Sequence, residues 1–127
     1  MINLDFRDPR PIYEQIIEKI SDLAARGVFE ADVQLPSVRQ LATELSINPN
    51  TIQRAYSELE KRGIIYSLKG KGNFVSPDLD NIRLQKQTVL LKKFGDISRE
   101  AFSFEIPFEQ LKCELCKTYE LFSKEVF

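Results

Sequence analysis

The stretch from Ser37 to Val75 constrains the fold of this chain more than any other part of its 127 residues. Ser37 and Gln40 have the spacing of a capping box, in which each side chain bonds the other residue's backbone N–H. Asn48 followed by Pro49 predicts a second helix start, because Asn caps helices and proline needs no N–H in the first turn. The sequence therefore predicts two short helices separated by a turn at 46–48.

Each predicted helix has one apolar side, and both sides are expected to pack in a common core. The apolar positions recur at steps of three and four residues and are Val38, Leu41, Ala42, Leu45, Ile52, Ala55, Tyr56 and Leu59. Ile47 and Ile52 have the spacing of a hydrophobic staple, which sets the direction in which the second helix begins. Gly63 is expected to end that helix.

The first turns of the second helix leave a polar surface exposed. Its members are Asn50, Thr51, Gln53, Arg54 and Ser57. In the major groove of DNA, amide side chains pair with adenine, a threonine methyl contacts thymine, and arginine binds guanine or phosphate. Taken alone, such a surface is more often a solvated helix face, so the assignment to DNA depends on the segment that comes after this helix.

That segment is a basic hairpin. Residues 64–67 and 73–76 have the composition of two paired strands, and the glycines between them permit a tight turn. From Lys61 to Val75 the chain carries four basic residues and no acidic one, which predicts a local patch for phosphate contact. Helix, turn, helix and basic wing together predict a winged helix-turn-helix motif that binds DNA.

The residues ahead of this motif predict a supporting helix. Apolar residues from Ile12 to Ala24 recur at steps of three and four, and Gly27 is expected to end the helix. Tyr13 and Gln15 are predicted to lie off the apolar side, where a phosphate contact is conceivable but a scaffold role is sufficient.

The last part of the chain predicts two more helices. Apolar residues recur over about 79–102, a break follows at 103–106, and a last helix begins at Pro107. The apolar residues of that last helix are Phe108, Leu111, Leu115, Phe122 and Val126. A hairpin of this size does not easily build its own core, so a second subunit is expected to cover it. The aromatic residues, up to Phe127, agree with an interface and equally with a core.

We therefore predict an α+β fold that is mostly α, in two parts. Residues 1–76 are expected to form a winged helix-turn-helix DNA-binding domain, and residues 77–127 a C-terminal two-helix dimerisation hairpin. The formal net charge is −1, so any field that attracts DNA must be local, as it is around the predicted wing.

Composition argues against an enzyme. The chain has no His, which removes the commonest general base and the commonest metal ligand. It has no Gly-rich phosphate loop and no nucleophile elbow. Cys113 and Cys116 would need two further ligands to hold zinc, which only a dimer could supply, so two ordinary helix residues are the simpler interpretation. No enzymatic activity, no cofactor and no metal site are expected.

No apolar run approaches the roughly 20 residues of a membrane span. The first residues carry acidic as well as basic side chains and no apolar core like that of a signal peptide. A cytoplasmic protein without membrane contact is expected.

Five segments together resemble a known family. PIYEQI, LPSVRQLA, NPNTIQRAY, LEKRGII and GKGNFV occur in this order between residues 9 and 76. In this combination the chain resembles the winged-helix domain of the GntR family of bacterial transcription regulators. The short two-helix tail resembles that of the YtrA subfamily.

The resemblance implies which residues contact DNA. Arg39 would do so from the first helix of the motif, while Lys69 and Gly70 would place the wing tip in the minor groove, with Lys71 beside them. The implied contacts of the recognition helix are Asn50, Thr51, Gln53 and Arg54.

The chain departs from the family pattern at two positions. Asp32 stands where the family often has glycine, so a different loop geometry is expected there. Pro49 stands where many relatives outside the subfamily carry a DNA-contacting arginine, which implies a changed operator sequence.

The predicted function is that of a sequence-specific, homodimeric transcriptional repressor. It would read a pseudo-palindromic operator of double-stranded DNA with the recognition helix at 49–62 and the wing at 64–76. The subfamily association implies a transporter operon, and a small-molecule effector of unknown identity is possible. The alternative is a winged-helix protein-interaction module without specific DNA binding, which the near-neutral charge favours.

Overall fold

The structure is a computed structural model that describes residues 2–126, with side chains as far as Ser123. Phe127 and the side chain of Val126, which the sequence assigns to the apolar tail, lie outside the described residues. The described elements are α1 (Ile12–Ala25), α2 (Val38–Leu45), α3 (Pro49–Lys61), β1 (Ile65–Leu68), β2 (Gly72–Val75), α4 (Asp80–Ser103) and α5 (Phe108–Val126). This confirms the predicted mostly helical α+β fold with a winged helix-turn-helix.

The chain divides into two compact units, one that extends to Gln85 and one that begins at Lys86. The boundary lies within α4, so the first turns of this helix belong to the winged unit. Leu79 is buried in the core of that unit and Ile82 packs against it. Nε of Arg83 donates to the backbone carbonyl of Ala25 at 2.9 Å, which ties the start of α4 to the end of α1.

The helices of the motif begin where their caps predict. The hydroxyl of Ser37 accepts from the backbone N–H of Gln40 at 3.1 Å, and the Gln40 amide oxygen accepts from the Ser37 N–H at 2.9 Å. Oδ1 of Asn48 accepts from the N–H of Asn50 at 2.9 Å. Ser46 ends α2 in the left-handed conformation, with φ 55°. Local capping chemistry therefore determines both ends of the turn.

An apolar core lies between α1, α2, α3 and the hairpin. The largest fully buried side chains in it are Tyr56, Ile16, Ile20, Leu41, Ile52, Leu59, Ile65 and Val75. Ile52 belongs to this core and Ile47 packs against it, in agreement with the staple. The Tyr56 hydroxyl donates to the carbonyl of Pro36 at 2.7 Å. Burial, with a smaller contribution from the charge of Glu44, raises the pKa of Tyr56 to about 12.

Gln15 is buried, and the prediction that it lies off the apolar side of α1 was wrong. Its amide oxygen accepts from the N–H of Asp5 at 3.0 Å. Its amide nitrogen donates to the carbonyls of Asp5 at 3.0 Å and of Arg10 at 3.2 Å. The side chain thus satisfies backbone groups of the segment that precedes α1, an arrangement that helical periodicity cannot reveal.

The connector between α1 and α2 pairs with the hairpin. Asp32 adopts φ 64°, the left-handed conformation that glycine enters readily and that Asp tolerates better than most residues. Its N–H donates to the carbonyl of Val75 at 2.8 Å. Its carboxylate accepts from the hydroxyl of Tyr66 at 2.7 Å, and this hydrogen bond, followed by burial, raises the pKa of Tyr66. Asp32 therefore takes a glycine-like backbone conformation and adds a side-chain contact to the wing.

Helices α4 and α5 leave much apolar surface exposed in the second unit. Ala101 of α4 is buried, with 8% of its surface exposed, whereas Leu90 is 63% and Ile97 59% exposed.

Across the described residues, no helix combines the length and the apolar character needed to cross a membrane.

A buried hydroxyl in α1 suggests a stabilising substitution. Oγ of Ser21 has no hydrogen-bond partner among the described residues, although the residue is buried. An unpaired buried polar group costs about 1–3 kcal/mol, so we expect Ser21→Ala to raise the free energy of unfolding by about 1–2 kcal/mol. Urea denaturation measures this change.

The matched control for Ser21→Ala is Ser57→Ala, at an exposed site in α3. Here no burial penalty is relieved: the gain in helix propensity, about 0.5 kcal/mol, is opposed by loss of the exposed hydrogen bond that Ser57 accepts from Gln53. Equal gains at the two sites would show that the Ser21 hydroxyl carries no burial penalty.

Candidate nucleic-acid interface

Helix α3 presents a polar outer side along its whole length. Asn50, Arg54, Ser57 and Lys61 are exposed and recur at intervals of four, three and four residues, which places them on one side of the helix. The opposite side is buried in the core. Gln53 is also exposed, and Thr51 is half-buried. The predicted readout residues therefore lie on the accessible part of the helix, most of them towards its N-terminus.

Two of these side chains are held by contacts within the protein. The Gln53 amide nitrogen donates to the hydroxyl of Ser57 at 3.2 Å. The guanidinium carbon of Arg54 lies 3.8 Å from the centre of the Tyr13 ring, at the start of α1. Such contacts restrict the rotamers of an exposed surface and so reduce the entropy lost when it binds a partner.

The wing is an antiparallel hairpin in which Leu68 pairs with Gly72, so its tip is the three-residue loop at 69–71. The N–H of Lys71 donates to the carbonyl of Leu68 at 2.9 Å and closes the loop. Gly70 at the tip has φ 77°, which glycine adopts without strain. Lys69, Gly70 and Lys71 are all exposed.

Gln34 in the connector stabilises the wing tip, and sequence reasoning missed this residue. Its amide nitrogen donates to the carbonyl of Lys71 at 2.8 Å. Gly72 lies directly beneath it: a Cβ at this position would be 2.8 Å from that nitrogen, and φ is 122°. Only glycine fits this conformation without strain. The bond joins residues 37 positions apart, so no local pattern could have indicated it.

The wing is also attached to the recognition helix. The hydroxyl of Ser67 in β1 donates to a carboxylate oxygen of Glu60 in α3 at 2.9 Å. The rings of Tyr66 and Phe74 stack across the hairpin with their centres 5.5 Å apart. These contacts limit the movement of the two basic loop residues relative to α3.

Arg39 lies at the start of α2, beside an open groove of about 890 Å³. The groove is lined by Gln34, Leu35, Pro36, Arg39, Gln40, Thr43 and Glu44. The N-terminus of a helix carries partial positive charge and attracts phosphate. The exposed guanidinium of Arg39 adds a full charge at the same place.

The basic side chains that are predicted to contact phosphate are not engaged in ion pairs within the described structure. Among the described residues, no carboxylate lies within salt-bridge distance of Arg39, Lys69 or Lys71. Arg62 differs, because its Nε lies 3.0 Å from a carboxylate oxygen of Glu58. No neighbouring carboxylate in the described structure therefore competes with an anionic partner for these three side chains.

All of the predicted contact residues lie in the winged unit, and the contacts of each with DNA stay predictions. Cys113 and Cys116 lie in the other unit, exposed and unbonded to each other. Within the described residues, no group of three or more His, Cys, Asp or Glu side chains is arranged to hold a metal ion.

Comparison with known proteins identifies relatives of the winged unit. The family described as "Bacterial regulatory proteins, gntR family" matches residues 12–75. The HTH-type transcriptional repressor YtrA of Bacillus subtilis is 41% identical over 93 residues, which cover 73% of this chain and 72% of that protein.

Two solved structures extend the likeness to three dimensions. A transcriptional regulator from Oenococcus oeni superimposes with a TM-score of 0.75 at 30% identity, covering 94% of this chain and 99% of that one. The DNA-binding domain of AraR, solved in complex with operator ORE1, superimposes with a TM-score of 0.51 at 29% identity, covering 60% and 93%. These relatives are regulators and not enzymes, in agreement with the prediction from composition.

Proposed function

The chain belongs to the gntR family of bacterial regulatory proteins, and from this premise we propose that it represses transcription by binding an operator in double-stranded DNA. Helix α3 enters the major groove with Asn50, Thr51, Gln53 and Arg54 towards the bases. The wing tip lies along the minor groove, and Arg39 binds a phosphate beside α2.

One observation carries this proposal. The exposed start of α3 and a wing tip whose two lysines have no ion-pair partner among the described residues belong to one compact unit, in which a hydrogen bond from Ser67 to Glu60 joins β1 to α3. Phosphate contacts supply affinity that does not depend on sequence, and base-edge contacts supply specificity. This unit carries basic side chains suited to phosphate and polar side chains suited to base edges, on a helix and a hairpin.

The active form is a homodimer joined through residues 77–127. Leu90, Phe94, Ile97 and Ala101 recur on one side of α4 at intervals of four, three and four residues. Of these, only Ala101 is buried in the described chain. A contiguous exposed apolar stripe on a helix is typical of a protein–protein interface. A second copy of the same stripe is its simplest partner, because twofold contacts are self-complementary.

A twofold dimer of winged domains reads two half-sites about one helical turn apart, so the operator is pseudo-palindromic. Resemblance to the YtrA subfamily supports a transporter operon as the regulated target. A small-molecule effector that changes the operator affinity would complete the regulatory cycle.

The test of the proposal is selection of bound sequences from a random DNA library, followed by affinity measurements on the selected site across a salt series. We expect a palindromic consensus and an affinity that falls as salt rises. A folded protein that enriches no sequence would favour the alternative function, a protein-interaction module built on the same fold.

Lys69 provides a prediction that isolates the phosphate contribution. Lys69→Ala removes one unpaired cation from the wing tip, and we expect weaker binding to all sequences alike. The slope of log K against log salt should become shallower by about 0.9, the value for one phosphate contact. Fluorescence anisotropy at several salt concentrations measures it.

Lys92→Ala is the matched control, because Lys92 is an exposed lysine of α4 outside the winged unit. Its salt slope should equal that of the unsubstituted protein. If Lys69→Ala also leaves the slope unchanged, the wing does not contact the DNA backbone.

A further inference from the structure

Tyr13 contacts the recognition helix although it belongs to the scaffold helix α1. The guanidinium carbon of Arg54 lies 3.8 Å from the centre of its ring, well within the range of a cation–π contact. The ring is half-buried and its apolar body packs against the core. It therefore offers a fixed platform beneath an exposed, flexible arginine.

The chemistry of this platform differs from that of an ion pair. The guanidinium of Arg62 bonds the carboxylate of Glu58, which partly offsets its charge and occupies part of its hydrogen-bonding edge. Among the described residues, no carboxylate lies within salt-bridge distance of Arg54. A guanidinium stacked on a ring keeps its charge, and its N–H donors at the edge of the plane remain free for an acceptor.

The alternative explanation is that Tyr13 has only a structural role, as a side chain that packs against the core. Packing explains why the ring is partly buried, but it does not require an arginine above the ring's face. Its hydroxyl makes one long contact, donating to a carboxylate oxygen of the adjacent Glu14 at 3.5 Å. The feature of Tyr13 that points towards function is therefore its ring face.

We propose that Tyr13 is a positioning residue, whose ring holds the guanidinium of Arg54 ready to bind an acceptor oxygen or nitrogen of operator DNA. The inference rests on the proposed function. It makes α1 a contributor to DNA recognition without direct contact of Tyr13 with the nucleic acid. The acceptor belongs either to a phosphate or to the major-groove edge of guanine, which share the same donor chemistry.

The test compares three single substitutions by fluorescence anisotropy on the selected operator. Tyr13→Phe keeps the ring and should bind as the unsubstituted protein does. Tyr13→Leu keeps an apolar side chain without the ring, and we expect it to weaken binding about two- to fivefold, the range of an exposed cation–π contact. Tyr13→Met is a second ring-free variant in case leucine packs poorly. Thermal unfolding of each variant verifies that the fold is retained.

The deciding measurement is a double-mutant cycle with Arg54→Ala. In that background Tyr13→Leu should cause no further loss of affinity, since there is no guanidinium left to position. An equal loss in both backgrounds would overturn the proposal, because it would show that Tyr13 acts through the fold. A loss with Tyr13→Phe as large as with Tyr13→Leu would also overturn it, because the hydroxyl would then be the active group.

The sequence profile of Tyr13→Leu identifies the acceptor. Uniform weakening with a shallower salt slope indicates a phosphate, whereas a flattened preference at one guanine indicates the base. Failure of the unsubstituted protein to bind any selected sequence would instead contradict the proposed function itself. The two failures are therefore distinguishable in one experiment.

Discussion

Ile97→Glu is expected to turn the proposed dimer into a monomer. Ile97 is 59% exposed and lies between Phe94 and Ala101 on the apolar stripe of α4. At a twofold interface each substitution places two unpaired carboxylates in an apolar contact, and an uncompensated buried charge costs about 3–5 kcal/mol. Sedimentation equilibrium at micromolar concentration measures the change in mass.

The same substitution should weaken binding to the operator. In a dimer, binding of the first winged domain raises the effective concentration of the second at its half-site, which contributes about 10²–10⁴-fold to affinity. Loss of the dimer therefore removes this factor while leaving affinity for an isolated half-site unchanged. Anisotropy on full and half operators separates the two quantities.

Lys92→Glu is the matched control for Ile97→Glu. It introduces the same carboxylate into α4 at an exposed position two residues after Leu90, and so on the other side of the helix. It should remain dimeric. If Ile97→Glu also remains dimeric, the stripe is not the interface between subunits.

Gln53→Ala is expected to relax the base preference at one position of each half-site. Gln53 is exposed on α3, and its amide can make paired hydrogen bonds to adenine N6 and N7. Loss of such a pair should reduce discrimination at that base pair by about 1–3 kcal/mol. Library selection with the variant, compared with the unsubstituted protein, shows which position becomes degenerate.

The outcome for Gln53 differs in kind from that for Lys69. Gln53→Ala should change the consensus and leave the salt slope intact, whereas Lys69→Ala should do the reverse. Gln87→Ala, an exposed glutamine of α4, is the control and should change neither. An unchanged consensus for Gln53→Ala would remove this residue from the readout, and the hydrogen bond to Ser57 would then be its only role in the described structure.

Local patterns in the sequence predicted the motif well, because its determinants are themselves local. The capping box at Ser37 acts over three residues, the cap at Asn48 over two, and the apolar sides of α2 and α3 over single helical turns. Short-range hydrogen bonds and periodic burial are encoded in the order of residues. The same reasoning placed the exposed polar residues of α3 and the basic loop at 69–71.

Contacts between distant segments of the chain could not be predicted from local patterns in the sequence. The helical periodicity predicts that Gln15 lies off the apolar side of α1, yet the residue is buried. Its amide forms hydrogen bonds with the backbone of Asp5 and Arg10, which lies against it. The sequence around Gln34 predicts an ordinary loop residue, yet its side chain donates a hydrogen bond to the carbonyl of Lys71. Each bond depends on where a remote piece of backbone lies, and periodicity carries no information about that.

The sequence by itself determined that this chain contains a winged helix-turn-helix, since caps, turn residues and apolar spacing specify its elements locally. Its likeness to the gntR family is a separate finding, carried by the order of its motif segments and by its relatives. Only the tertiary structure decided how the side chains proposed to contact DNA are held. Tyr13 and Arg54 lie on different helices, with α2 between them in sequence, and they meet at 3.8 Å because α1 packs across α3 in the common core. The core therefore determines the orientation of an arginine whose position in the recognition helix was already evident from the sequence.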